Sequence, residues 1–219
     1  MSASLIVHDP GLFATIQDLG RWGYLRYGVS NCGAMDKVSL KVANLLVGNH
    51  PEAAAVEFTV LGGAYQVAAD SCRIAIVGGG FPVAIDGEPV PPFTSYTLHR
   101  GTRITIGYAT SGIRGYLAVA GGFDLSPVLG SVSTHVRFEL GGLNGKALEA
   151  GCRISLGNAK APPGGDRRLD PSLMPSTGGP LRVIMGPQDD YFTETGKRTF
   201  LSAEYRVTGQ SDRMGYRLE

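Results

Sequence analysis

Residues 56–108 read VEFTVLGGAYQVAADSCRIAIVGGGFPVAIDGEPVPPFTSYTLHRGTRITIGY. Short apolar, β-branched and aromatic runs at 56–60, 65–67, 73–77, 83–85, 95–98 and 103–108 alternate with glycine-bearing turns. Runs of that length with turn residues between them read as consecutive strands. Asp86-Gly87, set between Ile85 and Val90, is a hairpin signal, because both residues tolerate positive φ. Working outward, residues 5–8, 12–18, 115–119 and 154–156 extend the series on both sides. The pattern predicts an all-β barrel or sandwich.

One segment breaks this texture. Between Asp36 and Leu46, the apolar residues Val38, Val42, Leu45 and Leu46 fall at helical spacing. Asp36 suits the N-cap, Gly48 the C-terminal stop, and Pro51 prevents continuation. The sequence predicts one helix near 36–47. Residues 159–180 hold five prolines and four glycines, the composition of a linker or exposed loop. Strand-like runs resume at 181–185 and 205–207. The expected organisation is a first domain over 1–160, a linker over 161–180, and the start of a second domain over 181–219.

Composition excludes several classes. The chain has 219 residues, 20 lysines and arginines against 19 aspartates and glutamates, and 18% charged residues. A net charge of +1 without any block of one sign gives no basis for phosphate neutralisation, so no nucleic-acid partner is expected. With 43% hydrophobic residues the chain has enough apolar material for a core. The 32 glycines, about twice the usual share of about 7%, fit many tight turns. Cys32, Cys72 and Cys152 form no CxxC pair and read as free thiols of a reducing compartment. The first residues show no leader pattern, and no apolar run approaches the ~20 residues of a membrane span. A cytoplasmic protein with no membrane contact is expected.

Few chemical motifs survive inspection. His8, His50, His99 and His135 have no metal-ligand spacing, so no metal site is predicted. Gly78-Gly79-Gly80 follows a strand but leads to Phe81-Pro82 and not to a helix start, which argues against a phosphate loop; no Walker motif is present. Two polar clusters remain. The first joins Gln17, Asp18, Arg21, Asn31, Asp36, Asn44 and Asn49 around glycine turns and the helix start. Capping and turn chemistry account for Asp18, Asn31 and Asp36 but not for Asn44. The second runs Gln210-Ser211-Asp212-Arg213-Met214-Gly215-Tyr216-Arg217. Arginine forks suit carboxylate recognition, although a surface Asp–Arg pair explains the composition equally well.

Several long strings resemble the KipA family. They are Thr15-Ile16-Gln17-Asp18-Leu19-Gly20-Arg21, Gly33-Ala34-Met35-Asp36, Ala43-Asn44-Leu45-Leu46-Val47-Gly48-Asn49, residues 54–57 and 114–122, Gly130-Ser131, Gly186-Pro187-Gln188 and Ser211-Asp212-Arg213-Met214-Gly215-Tyr216-Arg217-Leu218. That family is also described as the C subunit of 5-oxoprolinase, as allophanate hydrolase subunit 2, and as part of the carboxyltransferase domain of urea amidolyase. The chain departs from it at Val132, where arginine is usual, at Cys152, where aspartate is usual, and in stopping at Glu219.

The resemblance implies a mainly β protein of two cyclophilin-like β-barrel domains with few helices, the second incomplete. It implies a subunit of an ATP-dependent 5-oxoprolinase that opens 5-oxoproline, a cyclic amide, to glutamate. The implied partners are KipI-like and LamB-like subunits of 5-oxoprolinase, with ATP handled in the assembled complex. On residue chemistry, Asp212 is the catalytic candidate. Arg213, Arg217, Gln210, Asn44, Asp36 and Arg21 are the substrate-binding candidates. Two other readings share the same motifs. One is a carboxyltransferase-type subunit that works on urea- or allophanate-like substrates with carboxybiotin on a partner. The other is a KipI-binding antagonist with no chemistry.

Overall fold

The computed structural model describes residues 3–158, 164–175, 179–211, 213 and 215–219. The chain divides into two compact units, Met1–Leu173 and Met174–Glu219.

The first unit is almost entirely strand. In chain order it contains β1 (Ser4–Asp9), β2 (Ala14–Gln17), α1 (Lys37–Val47), β3 (Ala55–Thr59), β4 (Leu61–Ala68), β5 (Ser71–Gly78), β6 (Val83–Ile85), β7 (Glu88–Val90), β8 (Ser95–His99), β9 (Arg103–Tyr108), β10 (Arg114–Val119) and β11 (Arg153–Ser155). The strands form two sheets, ordered β11-β1-β4-β9-β6-β7 and β2-β3-β10-β5-β8. Every pairing is antiparallel. Alternate residues of both sheets enter one core: Leu5 and Val7, Val56 and Phe58, Tyr65 and Val67, Ile74 and Ile76, Ile104 and Ile106, Leu117 and Val119. The two-residue period of a strand sends these side chains to one face, and each large one stabilises by roughly 1.5–3 kcal/mol when fully buried.

The chain passes from one sheet to the other at Val60, between β3 and β4. Val60 has φ 64°, a rare conformation for a β-branched residue. It is held there by Val60 N–H donating to Ile113 O (2.9 Å) and Ala109 N–H donating to Val60 O (2.7 Å). Gly63 completes the corner at φ +83°, where a Cβ would lie 2.1 Å from Asp9 O. Asp86 and Gly87, at φ 49° and 87°, form the hairpin expected between β6 and β7.

Helix α1 occupies the predicted span but presents a different face. Leu40, Ala43, Asn44 and Val47 are buried, and the helix packs on β5 and β10. Val38 and Leu45, two members of the expected stripe, are 44% and 51% exposed. Small Ser39 and Ala43 let the helix approach the sheet closely, and the polar side chain of Asn44 supplies hydrogen bonds that a leucine could not.

Part of the proline- and glycine-rich stretch is bound to the first unit. Ser95 N–H donates to Arg167 O (2.7 Å), Leu169 N–H donates to Phe93 O (2.9 Å), and Thr94 bridges Arg168 in antiparallel fashion. These contacts pair residues 167–169 with the beginning of β8. Residues 161–163 and 176–178 of the expected linker lie outside the described residues.

The second unit has little regular structure. The strand expected at 181–185 is not formed. No described backbone partner pairs with it, and an apolar run without a partner strand has no ladder to join. Leu181 and Ile184 are accordingly 89% and 99% exposed. The unit does contain a helix the sequence did not announce, α2 (Glu194–Ser202), capped by Thr193 Oγ1 accepting from Gly196 N–H at 3.1 Å. Near its end the chain doubles back. Arg206 and Glu219 exchange backbone hydrogen bonds of 2.8 and 3.0 Å, and Thr208 N–H donates to Arg217 O at 2.9 Å. No helix among the described residues is long and apolar enough to cross a membrane.

Cys72 lies in the core at 0% exposure, and burial pushes its thiol up from 9.0 to about 12. Its thiolate is therefore formed in the unfolded chain before it is formed in the folded one. The stability this contributes is complete below about pH 9 and declines as pH rises towards 12. In a disulfide-exchange assay at pH 8, Cys72 should stay unmodified in the native protein and react on denaturation. Native-state reaction of Cys72 at the rate of a free thiol would contradict this burial.

Candidate functional site

The first unit gathers the polar residues of the N-terminal motifs at the end of the sheet that carries α1. Glu57, in the middle of β3, is 1% exposed. Its Oε2 accepts from Met35 N–H (2.9 Å) and from Tyr116 Oη (2.7 Å), and Tyr116 Oη in turn accepts from Asp36 N–H (2.7 Å). Tyr116 stands directly across from Glu57 in the β3–β10 register. Burial first, and then the Glu57 carboxylate, push the phenol far above its ordinary range, so it serves as a permanent O–H donor. Gly33, at φ +87°, allows the loop to pass tightly, since a Cβ would sit 2.7 Å from the Leu19 backbone.

Asp36 caps α1. Its Oδ1 accepts from Val38 N–H (3.1 Å) and Ser39 N–H (3.0 Å), and its Oδ2 accepts from Ser39 Oγ (2.5 Å). Asn44 is fully buried and its amide is used inside the fold. Nδ2 donates to Leu40 O (3.2 Å) and Ala53 O (2.6 Å), and Oδ1 accepts from Asn49 Nδ2 (3.0 Å). Asn49 continues the chain of contacts to Val119 O (2.8 Å) and Gly121 N–H (2.8 Å). Both side chains, expected from the sequence to shape a substrate pocket, are hydrogen-bonded within α1 and its connections.

Arg21, the third candidate of the first unit, is also engaged within the fold. It is 1% exposed, with Nη2 donating to Ser133 O and Nε donating to Val128 O at 3.5 Å. Asp18 holds the same loop from the other side. Its carboxylate accepts from Ser131 Oγ (2.7 Å), Val132 N–H (2.8 Å), Ser133 Oγ (2.5 Å) and Gly20 N–H (2.7 Å). Around this knot four buried atoms, Gln17 Oε1, Arg21 Nη1, Asn31 Oδ1 and Thr134 Oγ1, form no hydrogen bond with any described residue.

Sequence reasoning missed Glu57, Tyr116, Ser30 and His135 as members of this region. Glu57 carried a signal, a carboxylate at the centre of an apolar strand. His135 is 4% exposed, and its Nε2 meets Ser30 Oγ at 2.8 Å. Nothing in the spacing of two residues 105 positions apart announces that meeting.

The second cluster lies in the second unit, on the turn that joins 205–208 to 217–219. A shallow open depression there is lined by Thr208, Gly209, Gln210, Arg217, Leu218 and Glu219. Ser211 ties the turn, with Oγ accepting from Arg217 N–H at 2.9 Å. The exposed Arg217 guanidinium forms no hydrogen bond or ion pair with any described residue. An exposed guanidinium is the kind of group that takes a carboxylate. Arg213 is half-buried. Asp212, the catalytic candidate, lies outside the described residues.

The glycine turn 78–80 is closed. Gly79 N–H donates to Arg114 O (2.8 Å) and Gly80 N–H to Ser111 O (2.7 Å). These N–H groups are therefore not available to phosphate, and the turn does not fit a nucleotide. Among the described residues no three His, Cys, Asp or Glu side chains gather as a metal site.

A mainly β chain of two antiparallel sheets with few helices is the fold shared with the carboxyltransferase family. The family described as carboxyltransferase domain, subdomain A and B, matches residues 27–219, and this chain belongs to it. It is 35% identical to the C subunit of 5-oxoprolinase from Escherichia coli (strain K12), over 95% of this chain and 66% of that protein. It is 34% identical to urea amidolyase of Saccharomyces cerevisiae, over 95% of this chain and 12% of that one. The crystal structure of K. lactis urea amidolyase superposes with a TM-score of 0.91 at 30% identity, covering 100% of this chain and 14% of that one. The chain spans just under two thirds of the length of the 5-oxoprolinase subunits it matches.

Replacing Tyr116 by phenylalanine removes the hydroxyl that links Asp36 N–H to Glu57. Denaturant melts should show a loss of about 1–3 kcal/mol. Asn44→Ala, which strips three hydrogen bonds and opens a cavity, should cost about 2 kcal/mol or more. An Asn44→Ala protein as stable as the parent would show that these three hydrogen bonds do not hold α1 in place.

Proposed function

We propose that this chain is a subunit of an ATP-dependent 5-oxoprolinase, opening the lactam of 5-oxoproline to glutamate together with KipI-like and LamB-like subunits. The observation that carries the reading is similarity along nearly the whole chain: it is 35% identical to one 5-oxoprolinase C subunit over 95% of its length and 34% identical to a second over 94%. That these relatives are named as subunits supports a multi-chain complex.

In this reading the turn of the second unit receives the substrate. The 5-oxoproline carboxylate is an anion of the size an arginine fork takes, and Arg217 and Arg213 are the candidates to hold it. The Gln210 amide is the neutral partner for the lactam. Asp212 is placed by its position in the motif to accept the lactam N–H or to orient an arginine. Asp36, Asn44 and Arg21 keep the first unit in shape. ATP enters through the assembled complex, since the turn at 78–80 of this chain does not accommodate it.

A carboxyltransferase-type reading, with carboxybiotin on a partner and a urea- or allophanate-like acceptor, is favoured by the family description and the urea amidolyase match. Reconstitution separates the two. Mixing this chain with its KipI-like and LamB-like neighbours, ATP and 5-oxoproline should yield glutamate only when the chain is present. A stable KipI-like complex without glutamate, or co-purification with a biotinylated protein, would overturn the oxoprolinase reading. In the active complex Arg213→Ala should raise KM for 5-oxoproline about tenfold or more, as loss of a charge-assisted carboxylate contact requires. Unchanged kinetics would remove Arg213 from the site.

A further inference from the structure

We propose that Ser30 and His135 form a nucleophile–base pair that takes an acyl group from a small activated carboxylic or carbamic ester. Ser30 Oγ lies 2.8 Å from His135 Nε2, within the range for proton transfer between a serine and its base. The neighbouring hydroxyls are engaged differently, since Ser131 and Ser133 donate to the Asp18 carboxylate. Ser30 is half-buried, so a small ester can reach it.

The backbone that carries the imidazole is anchored: the main-chain N–H of His135 donates to Leu140 O (2.8 Å), and the main-chain N–H of Leu140 donates back to His135 O (3.2 Å). The Phe138 ring lies against the imidazole with centroids 4.5 Å apart, and this phenylalanine is 47% exposed. It offers an apolar wall beside the pair. The serine side is fixed by Arg21 N–H donating to the carbonyl of the adjacent Asn31 at 2.8 Å. Cys32 then turns the chain at φ 53°. The backbone N–H groups of Asn31 and Cys32, on the two residues after Ser30, make no hydrogen bond with any described residue. They are donors of the kind that stabilises an acyl oxyanion.

The step balances without a co-reactant. Ser30 Oγ bonds to the acyl carbon, and its proton passes to His135 Nε2. The bond from the acyl carbon to the ester oxygen breaks, and the leaving alkoxide takes the proton from the imidazolium. Water, deprotonated by the same imidazole, then releases the acid and restores the serine. This chemistry goes beyond the oxoprolinase reading and is tested without other subunits, ATP or 5-oxoproline.

The test treats the whole chain with a fluorophosphonate ester, which forms an O–P bond and expels fluoride, and locates the adduct by mass spectrometry. One adduct is expected, on Ser30. It should be absent in Ser30→Ala and form about 100-fold more slowly in His135→Gln, both variants melting like the parent. Glutamine retains hydrogen-bonding capacity but cannot serve as the base, so a purely structural latch would leave the labelling rate unchanged. Should His135→Gln not fold, the parent protein decides the matter: p-nitrophenyl acetate should deliver its first acetyl group to Ser30 ahead of the surface lysines. No adduct, an adduct elsewhere, or labelling unchanged by His135→Gln would overturn the proposal.

Discussion

A carboxylate buried in the middle of a strand organises the first unit. Glu57 is 1% exposed, and an ionised carboxylate in such a place is strongly unfavourable unless donors surround it. Its donors come from two directions: Tyr116 across the sheet, and the backbone at Met35 just before α1. Satisfying Glu57 therefore fixes where the helix begins relative to β3 and β10. Asp36 N–H closes the arrangement on the same phenol, and the Asp36 side chain then starts the helix. Once the start is set, Asn44 falls on the buried face. There it ties the helix to Ala53 and, through Asn49, to the end of β10.

Asp18 makes a second knot that depends on the first. β2 pairs with β3, so the position of Asp18 just beyond β2 follows from that of Glu57's strand. Its carboxylate gathers residues 131–133, and Arg21 takes the carbonyl of Ser133 from the other side. These contacts bring residues near 30 and near 135 together. The Ser30–His135 contact is a consequence of two anchored loops, and its geometry is more restrained than that of a surface pair.

The strands and the helix span were readable because their signals are local. Alternation, glycine turns, the Asp36 cap and the Asp86-Gly87 hairpin each occupy a few consecutive residues. The buried face of α1 was not readable. It carries Asn44, Ser39 and Ala43 beside Leu40, Leu46 and Val47, while Val38 and Leu45 look outward, so the expected apolar stripe matched the buried face only in part. Helix α2 was hidden by Gly196 and by a sequence with little apolar content. The run at 181–185 had the composition of a strand but no described partner. Among the site candidates, the internal hydrogen bonds of Arg21 and Asn44 could not be read from the sequence, because a bond to a distant carbonyl leaves no trace in local spacing.

The separation of polar labour bears on how one architecture serves relatives with different names. Glu57, Asp18, Asp36 and Asn44 spend their hydrogen bonds on their own fold. A change of substrate that leaves these hydrogen bonds intact places no demand on them. Fold membership consequently says little about which reaction is run. Discrimination has to come from side chains the scaffold does not consume. In the second unit that description fits Arg217, whose guanidinium is exposed and unengaged among the described residues, on a turn also carrying Gln210 and Arg213. In the first unit it fits the neighbourhood of Arg21, where four buried polar atoms stay unsatisfied among the described residues while the rest of the knot is saturated. Departures from full hydrogen bonding tend to be tolerated where function requires them. The chemistry that sets this chain apart is therefore expected in the loops bordering the knot and in the arginine-bearing turn, not in the acidic residues that hold the fold.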